Sequence, residues 1–453
     1  MLRFLFRSFT SGHGLRKVLN QHFKATSLSD IVTAAREFPI TSRVDVQNAL
    51  EELFAEQPGV RLNGIHTSMS HETPTLAHLF TRGPFPIDFG PLQHDEVDVG
   101  DELPVRCLKN GLWLSHSDGL PFAVLASLSV HYGQTGGVHV EIGVPAGEQG
   151  ARFSQEFFRE VELRVGAGGA YRGRVLSLEC GSDYSGRCGA VKVHRQRKVV
   201  REEVILPEKT LTLLDRNAGR FVAARDHIKG LQFSAKKGLL FYGPPGTGKT
   251  HTIHYLASQL PGHTTLLITA EQVGILGEYF RLARFLQPAM MVIEDVDLIA
   301  RDRTNMADPR QEILLNKLLN EMDGLREDAD VLFILTTNRP DQLEPALASR
   351  PGRIDQAIEF PLPDEEGRAK LLKLYSRGLR VSDDLMAEMV SRTKGASPAF
   401  IKELMRRSAQ FQIESGGDSL LRQPAVDSAM EEMVFAGGSL NLKLLGGPLS
   451  EAS

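Results

Sequence analysis

The sequence predicts an α/β fold, a parallel sheet with helices on both faces, preceded by an N-terminal domain that is mixed α/β or β-rich. Three observations predict it. Short apolar runs at residues 238–242, 290–293 and 331–335 have the length and near-continuous apolar character of buried parallel strands. The first of them runs into a glycine-rich turn and then a helical stretch, residues 250–260, the strand, turn and helix order of a parallel α/β unit. Ahead of these, between residues 103 and 200, short β-prone runs are separated by glycine-bearing turns.

A chain of 453 residues exceeds one compact core and divides by length into two or three domains. Its 42% hydrophobic and 24% charged residues match a soluble globular protein. No uninterrupted apolar run approaches the roughly 18 to 20 residues that a bilayer span needs, so no membrane anchor is expected. The formal net charge of -4 and the balanced charges through position 200 weigh against bulk electrostatic attraction to nucleic acid. Cys107, Cys180 and Cys188 lack the CxxC spacing of zinc or redox sites, and three cysteines cannot all pair with one another. A reducing compartment follows.

The first 28 residues read as a basic, disordered start. Residues 1–29 contain no Asp or Glu but carry Arg3, Arg7, Arg16, Lys17 and Lys24. This resembles a mitochondrial presequence, so the mitochondrial matrix stands second to the expected cytoplasmic location. Residues 29–200 read as a partner-binding domain. Within it, residues 29–57 read as helical, capped by Ser29 or Asp30, with Val46, Ala49, Leu50, Leu53 and Phe54 at steps of three and four. Residues 59–101 are rich in Pro, Gly and His and read as loops with short elements. The stretch from Gly166 to Gly173 fails GxGxxG because Tyr171 holds the last glycine position, and reads as a loop. Arg195, Arg197 and Lys198 precede Arg201-Glu-Glu and read as a solvated linker.

The chemistry begins at Gly243-Pro-Pro-Gly-Thr-Gly-Lys-Thr250. Gly243, Pro244, Pro245, Gly246, Thr247 and Gly248 form a turn whose backbone N–H groups can converge on phosphates at a helix N-terminus. Lys249 can reach the β and γ phosphates, and the Thr250 hydroxyl can ligate Mg²⁺. His251 completes the loop's ATP-binding set. Glu294-Asp295 ends the second strand, at the carboxyl edge where α/β sheets bind ligands. One carboxylate can hold Mg²⁺ or its water, the placement assigned to Glu294, and the other can polarise the attacking water. Asp297 can buttress them. The third strand ends in Thr336-Thr-Asn338, where Asn338 can orient water against the γ-phosphate. The chain contains no second such loop.

Together these segments resemble the AAA branch of the AAA+ ATPases, from about residue 204 to 433 and most specifically between 238 and 360. The resemblance implies a P-loop NTPase core over residues 201–362 and a helical lid over residues 363–435, while the tail from 436 to 453, rich in Gly and small residues, reads as disordered. Leu319-Asn-Glu-Met-Asp-Gly324 is similar to the family's intersubunit signalling segment, and Arg350-Pro-Gly-Arg353 to its second region of homology. The latter implies a homo-oligomeric ring, usually a hexamer, in which Arg350 and Arg353 reach the ATP of a neighbour as trans arginine fingers. Gly395 and Ala396 are, by the same resemblance, lid contacts to the nucleotide. Glu-Asp-Val-Asp297 also resembles the branch containing the mitochondrial chaperone that translocates the Rieske protein. Ile275 and Leu276 stand where the family carries an aromatic pore residue, and no HExxH accompanies the resemblance to membrane-anchored AAA proteases.

The expected function is therefore Mg²⁺-dependent ATP hydrolysis by a ring that remodels or translocates a protein partner. Two alternatives are a nucleic-acid-associated AAA+ motor or loader, disfavoured by charge, and a slow-turnover, nucleotide-dependent scaffold, suggested by the Glu-before-Asp order.

Overall fold

The computed structural model describes residues 14–24, 26–67, 73–81, 87–131, 134–180, 188–260, 262–298, 309–326, 329–347, 353–416 and 418–433. The chain divides into two compact units, Met1–His194 and Arg195–Ser453.

The first unit runs α1 (Gly14–His22), β1 (Ile31–Pro39), α2 (Arg43–Ala55), β2 (Arg61–Thr67), α3 (Leu76–Phe80), β3 (Ile87–Gly90), β4 (His94–Val97), β5 (Val105–Leu108), β6 (Asn110–Ser117), β7 (Leu120–His131), β8 (Gln134–Pro145), α4 (Glu148–Ala167), β9 (Val175–Cys180) and β10 (Cys188–Val193). Six strands form one sheet in the order β1-β8-β7-β6-β2-β3, with every neighbouring pair antiparallel. The two-residue period of a strand sends alternate side chains to opposite faces. Leu112, Leu114, Ala123 and Leu125 thus bury with Leu15 and Leu19 of α1 and Leu76 and Leu79 of α3. On the other face Trp113 stacks on Phe54 of α2, with ring centroids 5.2 Å apart, and Phe122 meets Phe153 of α4 at 4.8 Å.

The β-rich character of this unit agrees with the sequence, but three local readings change. Residues 31–39 form β1 rather than the start of a long helix. The β-branched Ile31, Val32 and Thr33 favour a strand, and the deciding interaction is a ladder to β8, from Ile31 opposite Pro145 to Pro39 opposite Gly137. Residues 148–167, lying among β-prone runs, form a long helix that buries Phe157, Phe158, Val161 and Val165 at helical spacing. Residues 14–22, within the stretch read as a disordered start, form α1, which buries Leu15 and Leu19. Between residues 168 and 174 the chain is a loop, fastened where the Ala170 N–H donates to Asp45 Oδ1 at 3.1 Å.

The second unit runs α5 (Glu208–Leu214), α6 (Arg220–Gly230), β11 (Lys237–Tyr242), α7 (Lys249–Gln259), β12 (Thr264–Ile268), α8 (Leu276–Phe285), β13 (Ala289–Ile293), α9 (Pro309–Asp323), β14 (Val331–Thr337) and β15 (Gln356–Glu359). Its strands lie in the order β12-β13-β14-β11-β15, with all neighbouring pairs parallel. One face buries Leu239, Phe241, Val292 and Ile334 against Ile253 and Leu256 of α7. On the other, Phe333 meets Phe280 of α8 at 5.7 Å. The predicted parallel sheet with helices on both faces is thus present. Strands β11 and β14 are neighbours although β12 and β13 lie between them in sequence, so their connections depart in different directions and leave a crevice at their carboxyl ends.

Four helices complete the unit: α10 (Glu365–Tyr375), α11 (Asp383–Arg392), α12 (Pro398–Glu414) and α13 (Gln423–Glu431). Three begin at a side-chain cap that satisfies a first-turn N–H: Asp364 to Gly367, Ser382 to Leu385 and Ser397 to Phe400. Leu372, Met389, Ile401, Leu404 and Val426 share their core. Among the described residues, no helix is long and apolar enough to cross a membrane. The expected tail at residues 436–453 lies outside the described residues.

Candidate active site

Strand β11 delivers the glycine-rich turn to the crevice. Gly248 is the N-cap of α7 with φ of 98°, a left-handed conformation that a Cβ would strain. The turn therefore folds back sharply and the first turn of α7 points into the crevice. Gly246 has φ of +76°, and a Cβ there would lie 2.9 Å from the Ala399 Cβ. Glycine at 246 lets the start of α12 seat against the loop, where the Ala399 N–H donates to the Gly246 carbonyl at 3.1 Å.

Lys249 opens α7 and is buried. Its ammonium donates to the Gly243 carbonyl at 2.8 Å, the Pro244 carbonyl at 3.0 Å and Asn338 Oδ1 at 2.7 Å. Burial pushes its pKa down to about 8, against the pull of Asp295 and Asp297. The Lys249 cation that attracts phosphate is thus lost as pH rises through about 8. ATP affinity is expected to fall across that pH, by up to tenfold per unit above it, which binding titrations between pH 7 and 9.5 would measure. The stability of the nucleotide-free chain has the opposite sign. The unfolded lysine keeps its proton up to about 10.5, so stability rises with pH between about 8 and 10.5. Affinity unchanged between pH 7 and 9.5 would remove Lys249 titration from the site.

The two carboxylates at the end of β13 part company. Glu294 Oε1 accepts from the Thr250 hydroxyl at 2.9 Å. Asp295 takes φ of 49°, which turns it toward β14. There its N–H donates to Thr336 Oγ1 at 3.1 Å and its Oδ1 accepts from Asn338 Nδ2 at 3.1 Å. Asp297 is buried and accepts from the Thr337 hydroxyl at 2.7 Å, locking the end of β13 to the end of β14. Asn338 thereby bridges Lys249 and Asp295 through the two ends of one amide.

These groups border a cavity of about 430 Å³. Pro245, Gly246, Thr247, Gly248, Lys249, Thr250, His251, Glu294, Asp295 and Asn338 all line it. Its remaining wall was not read from the sequence: the strip Glu203 to Leu206, Leu371 and Tyr375 of α10, and Pro398, Ala399 and Lys402 of α12. A largely apolar strip before a proline and five residues on two C-terminal helices carry no local signal for a ligand. Gly395 and Ala396 do not line the cavity. Gly395 makes a turn with φ of 77°, and Ala396 is fully buried in the lid core.

The arginines are placed differently from one another. Arg350 lies outside the described residues. Arg353 is 6% exposed, and Asp323 at the end of α9 accepts from its Nε at 2.9 Å and its Nη2 at 2.7 Å. This joins the two segments read as the signalling segment and the second region of homology. Ile275 and Leu276, at the pore-residue position, are also buried.

The deciding observation is that residues 239–362 match the model for the ATPase family associated with various cellular activities (AAA). Residues 239–362 form an AAA domain. The chain is 32% identical over 248 residues to a proteasome-activating nucleotidase of Methanothermobacter thermautotrophicus, covering 52% of this chain and 57% of that protein. It is 34% identical over 201 residues to 26S proteasome regulatory subunit 10B of Dictyostelium discoideum, covering 42% and 51%. With a proteasome-activating nucleotidase of Methanopyrus kandleri it shares 37% over 195 residues, covering 40% and 44%. The chain spans about half the length of the curated relatives it matches.

The AAA domain's donors suit magnesium nucleotide. A hydroxyl and a carboxylate oxygen, from Thr250 and Glu294, lie side by side, and hard oxygen ligands are what Mg²⁺ takes. Among the described residues there is no group of three or more His, Cys, Asp or Glu side chains able to hold a metal. The Thr250–Glu294 pair suits an ion held by one or two protein groups together with phosphate oxygens.

Proposed function

We propose that this chain binds ATP with Mg²⁺ and hydrolyses it, and that a homo-oligomeric ring, of the hexameric kind, couples turnover to remodelling or translocating a protein partner. The observation that carries the chemistry is the convergence of Lys249, the Thr250–Glu294 pair and the Asn338–Asp295 pair on one cavity. Lys249 and the loop N–H groups hold the phosphates. Thr250 and Glu294 hold Mg²⁺, which when bound neutralises charge on the phosphate oxygens. Asp295, oriented by Asn338, accepts the proton of the attacking water. Gly395 and Ala396 act indirectly in this reading, by shaping the turn that sets Pro398 and Ala399 against the loop. Glu-Asp-Val-Asp297 further resembles the branch that contains the Rieske-translocating chaperone.

The protein-directed role is supported by relatives named as nucleotidases that activate the proteasome, and the near-neutral charge favours it over nucleic acid. A cytoplasmic setting suits the same reading. Arg350 and Arg353 supply the shared-site cations, and Arg353 exchanges Asp323 for the neighbour's phosphate on assembly. One experiment tests the assembly: ATPase rate against protein concentration, with oligomeric mass measured alongside. Specific activity is expected to rise with assembly. Arg353→Ala is expected to bind ATP normally while losing roughly a thousandfold in turnover, the lower range for a trans arginine. A monomer with flat activity, or an unimpaired Arg353→Ala, would refute the ring reading and leave the nucleotide site intact.

A further inference from the structure

We propose that Glu203 is a positioning residue through which occupancy of the ATP cavity holds the segment that enters the second unit. The proposal rests on the ATP-site reading above. Glu203 ends a short helical turn, Arg201–Glu203, and lines the cavity. Its side chain is only 7% exposed, so a charge here is screened far less than one on the surface.

Three elements meet on this one residue. Its carboxylate takes a two-pronged contact from Arg197, Nη1 to Oε1 at 2.9 Å and Nη2 to Oε2 at 3.0 Å. Oε1 also lies 3.8 Å from Nη1 of Arg377, just beyond the end of α10. The Glu203 main-chain carbonyl is 3.1 Å from His251 Nε2. A carbonyl can only accept, so Nε2 carries a proton and donates to it. His251 follows Thr250 and lines the cavity. The entering segment, the first turn of α7 and the end of α10 are therefore joined at this one residue. The Arg197 hydrogen bonds hold the Glu203 carboxyl below the ordinary range, so it is ionised at neutral pH.

Arg197 and Arg377 are themselves exposed, at 73% and 64% of their side chains. Each spans from solvent to the buried carboxylate, and removing one partner leaves that charge less compensated. Any movement of α10 or of the first turn of α7 on nucleotide binding reaches Glu203 through Arg377 and His251. The position of the carboxylate then decides how firmly Arg197 is held. Linkage is reciprocal: if nucleotide tightens the Arg197–Glu203 pair by some factor, loss of the pair weakens nucleotide by the same factor.

The test follows trypsin cleavage after the exposed Lys198, and a fluorescent ATP analogue with Mg²⁺, in the full chain and in Glu203→Gln and Arg197→Ala. Arg197→Ala changes an exposed side chain and guards against a folding defect in Glu203→Gln. In the parent chain nucleotide is expected to slow cleavage about fivefold or more, the lower range for coupling between sites. Both variants should lose that protection and show KM for ATP raised by a similar factor, with kcat changed less than about twofold. A role confined to folding would instead lower the active fraction and leave KM alone. If the parent chain binds ATP but cleavage at Lys198 ignores it, or both variants bind with parental affinity, the proposal is overturned. A parent chain that does not bind the analogue would overturn the site reading itself.

Discussion

Lys249→Ala is expected to weaken ATP binding at least about a hundredfold, because two charge-assisted hydrogen bonds to phosphate are each worth roughly 1.5 to 3 kcal/mol. The folded structure should tolerate the change better than its burial suggests. Three acceptors, the Gly243 and Pro244 carbonyls and Asn338 Oδ1, lose a donor. Against that, the chain no longer has to bury an ammonium whose pKa burial drags down to about 8. These two effects oppose, so the melting temperature should move far less than the affinity. Lys249→Arg is no substitute, since a planar fork cannot point at three acceptors clustered around one nitrogen. Calorimetric titration with ATP and Mg²⁺, beside a thermal melt, checks both halves. Affinity within about threefold of the parent would mean that the phosphates sit elsewhere.

The site was legible in the sequence where chemistry is carried by consecutive residues on regular elements. The run from Gly243 to Thr250 needs only a strand before it and a helix after it to work, and a buried parallel strand forces Glu294 and Asp295 to emerge at its carboxyl edge. What distance in sequence conceals was not legible. Tyr375 and Lys402 wall the cavity because the C-terminal helices fold back over the loop, and Val204 to Leu206 because the segment ahead of α5 runs beside it. Asp323 and Arg353 are 30 residues apart, and nothing in either segment announces that one accepts from the other. The same limit applies in the first unit. Residues 31–39 follow the cap read at Ser29 or Asp30, and their pairing with β8 about a hundred positions away overrides that helical reading. The helix at 148–167 did carry a helical period in Phe157, Phe158, Val161 and Val165, a signal that the surrounding β-prone runs obscured.

Asp295→Asn is expected to reduce turnover about a hundredfold to ten-thousandfold, the range for losing a positioned general base, while ATP affinity stays near the parent's. The substitution is chosen for its backbone as much as its chemistry. Asp295 holds φ of 49°, a region that Asn tolerates and most side chains do not, so the turn that faces β14 should survive. Asn338 can still meet an amide oxygen at 295, so the bridge to Lys249 also persists. Glu294→Gln changes the other carboxylate, the one that accepts from Thr250, and should act differently. It weakens an oxygen ligand without removing the base, so the Mg²⁺ concentration giving half-maximal rate should rise. Measuring rate against Mg²⁺ for both variants therefore separates their roles. If Glu294→Gln instead abolishes turnover at every Mg²⁺ concentration while Asp295→Asn shifts the Mg²⁺ requirement, the water-activating carboxylate is Glu294. The left-handed turn at Asp295 would then serve to bring the shorter acid to the metal.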